Sequence, residues 1–244
     1  MNVDQLATNP LSAPTSFGGG GSWAGSAGPE CRLHVHYEDE HLLVAEKPAG
    51  LLCVPGRGPD KQHCLLSRVQ RTHPKALVVH RLDQATSGLV IFALNRPEQA
   101  ALSSAFERRA VGKRYLAWVA GLLAQPNEVG EIALPLSADW PQRPRQRVDL
   151  ASGKLALTRW QVLQHASGSV AAPARSLLEL RPTTGRTHQL RVHLAAIGHP
   201  IVGDLLYEGP TASRLMLHAT QLQFPHPVTG QELRVLSPAP FSGL

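Results

Sequence analysis

The chain reads as an α+β domain on a mostly antiparallel sheet. Short apolar runs rich in β-branched residues recur along it, each stopped by turn residues. Only two or three segments carry a helical stripe, and strands and helices do not alternate regularly. Leu33-x-Val35-x-Tyr37 alternates as a half-buried strand does, and Leu42 to Ala45 forms a second strand, stopped at Lys47-Pro48-Ala49-Gly50. Ala76 to Val79 and Leu89 to Leu94 read as two core strands joined by a tight turn. Pro97 to Arg109 is a helix: Pro97 suits its first turn, and Ala101, Leu102, Ala105 and Phe106 form its apolar stripe. Tyr115–Val119, Lys154–Leu163 and Ser176–Arg181 are strands, with 165–175 as a hairpin loop. Thr187–Ile197 is helical, carries Leu190, Leu194 and Ile197 on one stripe, and stops at Gly198. Leu215–Phe224 and Glu232–Leu236 close the chain as strands.

Composition narrows the function. The chain has 244 residues, 43% of them apolar, enough for a real core. A net charge of +6 and a pI near 9.6 favour a polyanionic partner, nucleic acid first, although a mildly basic enzyme has the same balance. Three cysteines at wide spacing, Cys31, Cys53 and Cys64, make no disulfide framework and suit reduced thiols in the cytoplasm. His34-x-His36 and His63-Cys64 lack the spacing of a zinc site, so no structural metal is expected. No apolar run is long enough to span a membrane, and no signal peptide is evident. Residues 1–30, rich in Gly and Ser, read as a disordered tail, and 31–244 as one domain.

Chemistry concentrates in a few motifs. His80-Arg81-Leu82-Asp83-Gln84-Ala85-Thr86-Ser87-Gly88 places a carboxylate where a core strand ends and the chain turns back. A rigid scaffold holds such a side chain at the wall of a cleft, and the N–H groups of the Thr86–Gly88 turn are candidate partners for it. An Asx-turn aspartate closing a hairpin would look the same. Gly185 to His193 puts Arg186 at the start of a helix, poised to pair with Asp83, with His188 and Arg191 sharing one side. A basic, solvated helix end is the competing reading. Lys113-Arg114-Tyr115 opens a strand whose tyrosine is either core, pocket wall or proton acceptor. In Asp139 to Arg147, an extended backbone would align Arg143, Arg145 and Arg147 on one face, suited to phosphates, beside Trp140. A charged edge that resists aggregation is the alternative.

These segments occur in one order, with Lys113-Arg114-Tyr115-Leu116-Ala117, His199-Pro200-Ile201-Val202-Gly203-Asp204 and Glu46-Lys47-Pro48-Ala49-Gly50 among them. Together they resemble the RluA family of RNA pseudouridine synthases, from about residue 33 to the C-terminus. Pro55-Gly56-Arg57 and 139–147 are similar to the branch that modifies both tRNA and 23S rRNA. The resemblance implies a mixed, mainly antiparallel sheet with a central cleft and few flanking helices. It implies Asp83 as catalytic aspartate, Arg186 as its salt-bridge partner, Tyr115 against the target base, and Arg81 in the place of a flipped nucleotide. Arg143, Arg145, Arg147, His188 and Arg191 are the expected RNA contacts. No cofactor, metal, membrane or protein partner is implied. An RNA chaperone that had lost the chemistry would lack the aspartate, and a nucleoside hydrolase would need a second, water-activating carboxylate.

Overall fold

The computed structural model describes residues 33–168 and 173–241; the expected tail at 1–30 lies outside them. Strands β1 (His34–Glu38) and β2 (Leu42–Lys47) form an opening hairpin. A short helix α1 (Leu65–Val69) follows, then β3 (Leu77–Val78), β4 (Ser87–Ala93) and helix α2 (Arg96–Glu107). Strands β5 (Gly112–Ala120), β6 (Val129–Ile132), β7 (Leu136–Ala138), β8 (Gln146–Val148), β9 (Thr158–Ala166) and β10 (Arg175–Pro182) lead to helix α3 (Gln189–Ala196). Strands β11 (Leu217–Pro225) and β12 (Glu232–Leu236) complete the chain. Ten strands make one sheet in the order β1-β2-β4-β11-β5-β10-β9-β6, with β12 on β11 and β3 on β4, while β7 and β8 pair apart from it. Every pairing is antiparallel except that of β4 with β11, as the scarcity of crossover helices predicts.

The apolar pattern explains the layers. All seven residues of β4 are buried, as an unbroken apolar run on a two-sided central strand should be. Leu42, Val44, Leu89 and Ile91 pack under α2 on one face; Leu43, Ala45, Val90 and Phe92 pack under α1 on the other. A further core, around Trp118, joins β5, β9 and β10 to α3. Asn95 caps α2 by accepting the Glu98 N–H, and Pro97 takes a first-turn position where no donor is lost. Strands β6 to β8 and helix α1 are too short or too exposed to show a period in the sequence.

One feature of the sheet positions the site. Strand β2 pairs with the whole of one edge of β4. Its other edge is divided: β11 takes Ser87 and Gly88, and β3 takes Phe92 and Ala93. The connection 79–86 lies along the gap between them. His80 Nε2 accepts the Ile91 N–H at 3.1 Å, satisfying a donor within the gap. Burial holds this imidazole far below its ordinary pKa, at about 3, so the ring stays neutral. It lies on Phe106 with ring centres 4.6 Å apart. At the other end Gly88 has φ +119°, and a Cβ there would meet the Ala219 carbonyl at 2.3 Å. Gly88→Ala should therefore destabilise the protein by about 2–4 kcal/mol, read as a lower thermal midpoint. An unchanged midpoint would mean that the β4–β11 contact does not fix this approach.

Candidate active site

A cleft of about 690 Å³ opens over the 79–86 connection. Asp83, Arg81, Tyr115, Lys113, Arg186, His188 and Arg191 all contribute to its lining. These residues come from three places in the sequence, and the sheet brings them together. The 79–86 connection is fastened from below by Lys47, whose side chain is fully buried. Its Nζ donates to the carbonyls of Pro48, Leu51 and Gln84 at 2.9, 2.7 and 2.9 Å. Burial lowers its pKa to about 8, against the pull of Cys53 and Asp83, so it is still largely protonated at neutral pH. Cys53 adds a second fastening: its thiol points at the Leu82 carbonyl at 3.4 Å, and the Leu82 N–H donates to the sulfur at 3.2 Å. The turn is closed by the Thr86 N–H donating to the Asp83 backbone carbonyl at 3.1 Å. The expected contact from the turn's N–H groups to the Asp83 carboxylate is thus replaced by one to its carbonyl, which leaves the side chain facing the cleft.

The cation facing Asp83 is Arg191, with Nη1 3.7 Å from Oδ2. The expectation of an Arg186–Asp83 pair is corrected. Helix α3 begins at Gln189 rather than Thr187, so Arg186 lies ahead of the helix on an exposed loop, with its Nε on the Leu155 carbonyl at 3.1 Å. Arg191 is on the first turn, pointing inward, and is 4% exposed. Its Nε and Nη2 each donate at 2.7 Å to the two oxygens of Asp204, itself 1% exposed. The bidentate fork fixes the guanidinium plane and aims the remaining nitrogen at Asp83. Burial works against the Arg191 charge, yet the Asp204 hydrogen bonds and the charges of Asp204 and Asp83 raise its pKa above the ordinary value. The solvated-helix reading fails on this burial: Arg191 meets the cleft from inside the fold.

His188 is also inside the site. It caps α3 in the left-handed region at φ 53°, a backbone conformation that collects at functional positions. Its Nε2 lies 4.0 Å from Asp83 Oδ2 and its Nδ1 2.8 Å from the Tyr207 hydroxyl. That hydroxyl also accepts the Gln146 N–H at 2.8 Å, so Tyr207 ties His188 to the start of β8. The other ring nitrogen, Nε2, faces the carboxylate. Burial lowers the His188 pKa despite Asp83 nearby, which favours the neutral ring. Tyr207 and Asp204 are absent from the sequence reading of the site. Asp204 stands in a segment quoted for the resemblance, but its pairing with Arg191 is visible only in three dimensions. Gln189 was missed as well: its Oε1 accepts from Thr184 Oγ1 at 2.7 Å and from the Arg186 N–H at 3.0 Å, bracing the loop before α3.

Tyr115 lies on β5, where it stands opposite Ala219 on one side and Leu180 on the other. Burial, then the Asp83 and Cys53 charges, push its phenol above the ordinary value. It enters any reaction neutral. The neighbouring cations are spoken for: Lys113 Nζ donates to the Thr184 carbonyl at 3.2 Å and Arg114 pairs with Glu179 at 3.0 Å. Arg81 is exposed on the rim and has no hydrogen-bond or ion-pair partner among the described residues.

The arginine stripe takes another form than expected. Residues 139–145 turn back on themselves, with Asp139 N–H on the Arg145 carbonyl at 3.0 Å, and join β7 to β8 as a hairpin. Only Arg147 lies in a strand. Arg143 stacks on the exposed Trp140, 3.3 Å from the ring centre, and Arg145 lies 5.5 Å over Tyr207. The three cations therefore surround a loop at the cleft mouth, which Pro144 helps to line, rather than sharing one face.

Known proteins match this architecture. The RNA pseudouridylate synthase family matches residues 41–196. The dual-specificity RNA pseudouridine synthase RluA of Escherichia coli K12 is 43% identical over 213 residues, covering 86% of this chain and 94% of that protein. The Vibrio cholerae protein of the same description is 46% identical over 199 residues, covering 80% and 78%. The solved human RNA pseudouridylate synthase domain containing 1 superposes with a TM-score of 0.71 at 31% identity, covering 86% of this chain and 84% of that one. The chain belongs to the RNA pseudouridylate synthase family. It is an enzyme that isomerises uridine to pseudouridine in RNA.

Arg191→Lys should lower kcat on the order of 100-fold, the cost of misaiming a reactive group by about an ångström, while Arg186→Lys should leave kcat within a few-fold. The reverse ranking in single-turnover assays would reinstate Arg186. Tyr207→Phe should remove the hydrogen bond that holds the His188 ring beside Asp83 and lower kcat more than RNA affinity.

Proposed function

We propose that Asp83 is the catalytic carboxylate, and that the chain modifies a uridine in tRNA anticodon arms and one in a 23S rRNA stem-loop. One observation carries the catalytic part. Of the two carboxylates lining the cleft, Asp204 is locked into Arg191 by both oxygens, and Asp83 alone is free to meet a substrate. Isomerisation breaks the N-glycosidic bond, turns the uracil and joins C5 to C1′. The departing base takes the bonding pair, so positive charge develops on the ribose, and one carboxylate beside C1′ stabilises it. A hydrolase would need a second carboxylate to activate water. After C5 bonds, it must lose a proton. Tyr115 is neutral, so its hydroxyl can take that proton only while handing on its own.

A stacked uridine does not reach such a cleft and must be flipped out. Arg81, unpaired at the rim, is the residue to fill the vacated place. The substrate RNAs follow the dual-specificity relatives, and the positive hairpin at the cleft mouth supports them. With 31–244 acting as one catalytic domain, recognition rests on backbone shape and phosphate contacts from Arg143, Arg145 and Arg147. No helix among the described residues is long and apolar enough to cross a membrane, and a cytoplasmic location goes with these RNAs.

Asp83→Asn should abolish pseudouridine formation and leave RNA affinity nearly unchanged; retention of more than a small fraction of the wild-type rate would sink the assignment. Tyr115→Phe should accumulate an intermediate with rearranged base, and full activity would confine Tyr115 to packing. A minimal anticodon stem-loop should be modified. Replacing Arg143, Arg145 and Arg147 by Gln should flatten the salt dependence of binding, by up to about one unit of slope per lost phosphate contact. An unchanged slope would make the hairpin an ordinary charged edge.

A further inference from the structure

Away from the cleft, the opening hairpin gathers two imidazoles and a carboxylate at one point. His34 stands opposite Glu46 in the β1–β2 register, so both side chains leave the sheet on the same face. The register breaks between Val35 and Tyr37, making His36 the extra residue of a bulge. Bulges re-aim a side chain, and the packing shows it. Val35 joins the core with Leu43 and Ala45, whereas Tyr37 joins the opposite core with Leu42 and Val44. His36 is thereby brought over Glu46. Its Nε2 lies 2.8 Å from Glu46 Oε2, His34 Nδ1 lies 3.7 Å from the same oxygen, and a ligand atom from each of the three falls within 4.8 Å of the others. Ligand atoms on a tetrahedral ion with bonds of about 2.0–2.1 Å are about 3.3 Å apart, a value that these two distances bracket.

The surroundings suit a cation. The Ser237 hydroxyl donates to Glu46 Oε2 at 2.7 Å, the kind of outer contact that orients a metal-binding carboxylate. Burial works against the Glu46 charge, but the hydrogen bonds from Ser237 and His36 and the nearby His218 outweigh it and lower its pKa. His34 is 73% exposed at its side chain, which opens the remaining coordination position to water.

We propose that His34, His36 and Glu46 bind one divalent transition-metal ion of the zinc class, which clips β1 to β2. Two histidines and a carboxylate are a common zinc ligand set. The spacing of His34 and His36 alone does not announce it, because the third ligand arrives through strand register. None of the three residues lines the cleft. Successive residues of a strand face opposite ways, and Lys47, next to Glu46, points to the Gln84 carbonyl beneath the Asp83 connection.

Untagged, chelator-treated full-length protein is titrated with Co²⁺ and then Zn²⁺. One equivalent of Co²⁺ should give the intense visible absorption of a four-coordinate ion, and Zn²⁺ should bleach it. Zn²⁺ should also raise the thermal midpoint in a concentration-dependent way. His34→Ala, an exposed change, should weaken binding by more than about 10-fold, the loss that even an outer-shell partner causes, with pseudouridine formation unaffected. Glu46→Gln should do the same to binding. No stoichiometric binding would leave His36 and Glu46 as a plain hydrogen-bonded pair and overturn the proposal. Equal binding by His34→Ala would place the ion on other histidines and overturn it equally.

Discussion

Arg191 holds the site together because one guanidinium serves two carboxylates. A buried arginine with one carboxylate would be a closed pair, neutral and inert. With Asp204 occupying Nε and Nη2, the charge is compensated and the plane is fixed, yet Nη1 still points at Asp83 across 3.7 Å. The desolvation cost of burying Arg191 is thus met by Asp204, and Asp83 is left with a directed field but without a direct hydrogen bond that would tie up its oxygens. Its oxygens thus stay available to a substrate in the cleft.

The division depends on the sheet. Asp204 follows the segment that reaches β5 through the Val119–Ile201 bridge, Arg191 rides on α3 behind β10, and Asp83 hangs in the gap along β4. Asp83 thus meets two residues from far along the chain, and close by β4 and β11 run parallel, at a contact so close that only Gly88 fits. Lys47 and Cys53 then hold the connection from beneath. Preorganisation of this kind removes the need for the carboxylate to be positioned by the RNA itself.

Much of this was legible in the residues. The apolar runs located β1, β2, β4, β5, β10, β11 and β12 to within a few positions, because burial on a sheet imposes a period the sequence must carry. Asp83, Tyr115 and Arg81 were also picked out, each lining the cleft. Arg186 was preferred over Arg191 because sequence shows the order of residues and not where a helix starts. Moving that start from Thr187 to Gln189 changes which arginine points inward. Tyr207 gave no signal: a lone tyrosine in a loop has no period, and its worth comes from the Gln146 N–H and His188 meeting it in space. The arginine stripe failed for a related reason, since alternation implies one face only if the backbone is extended, and 139–145 is turned.

Tyr207 also gives the cleft a mechanical link to its mouth. Its hydroxyl takes the first N–H of β8, its ring lies under Arg145, and the same hydroxyl holds the His188 ring that faces Asp83. The Arg191 guanidinium also lies over that ring, 5.1 Å from its centre. Any RNA that draws the β7–β8 hairpin inward by its phosphates must move Arg145 and Gln146, and both rest on Tyr207. The hydrogen bonds from Gln146 to Tyr207 and between Tyr207 and His188 join the hairpin at the rim to the residue beside Asp83. On the proposed assignment, the loop that meets phosphates and the carboxylate that does the chemistry are joined through one hydroxyl group.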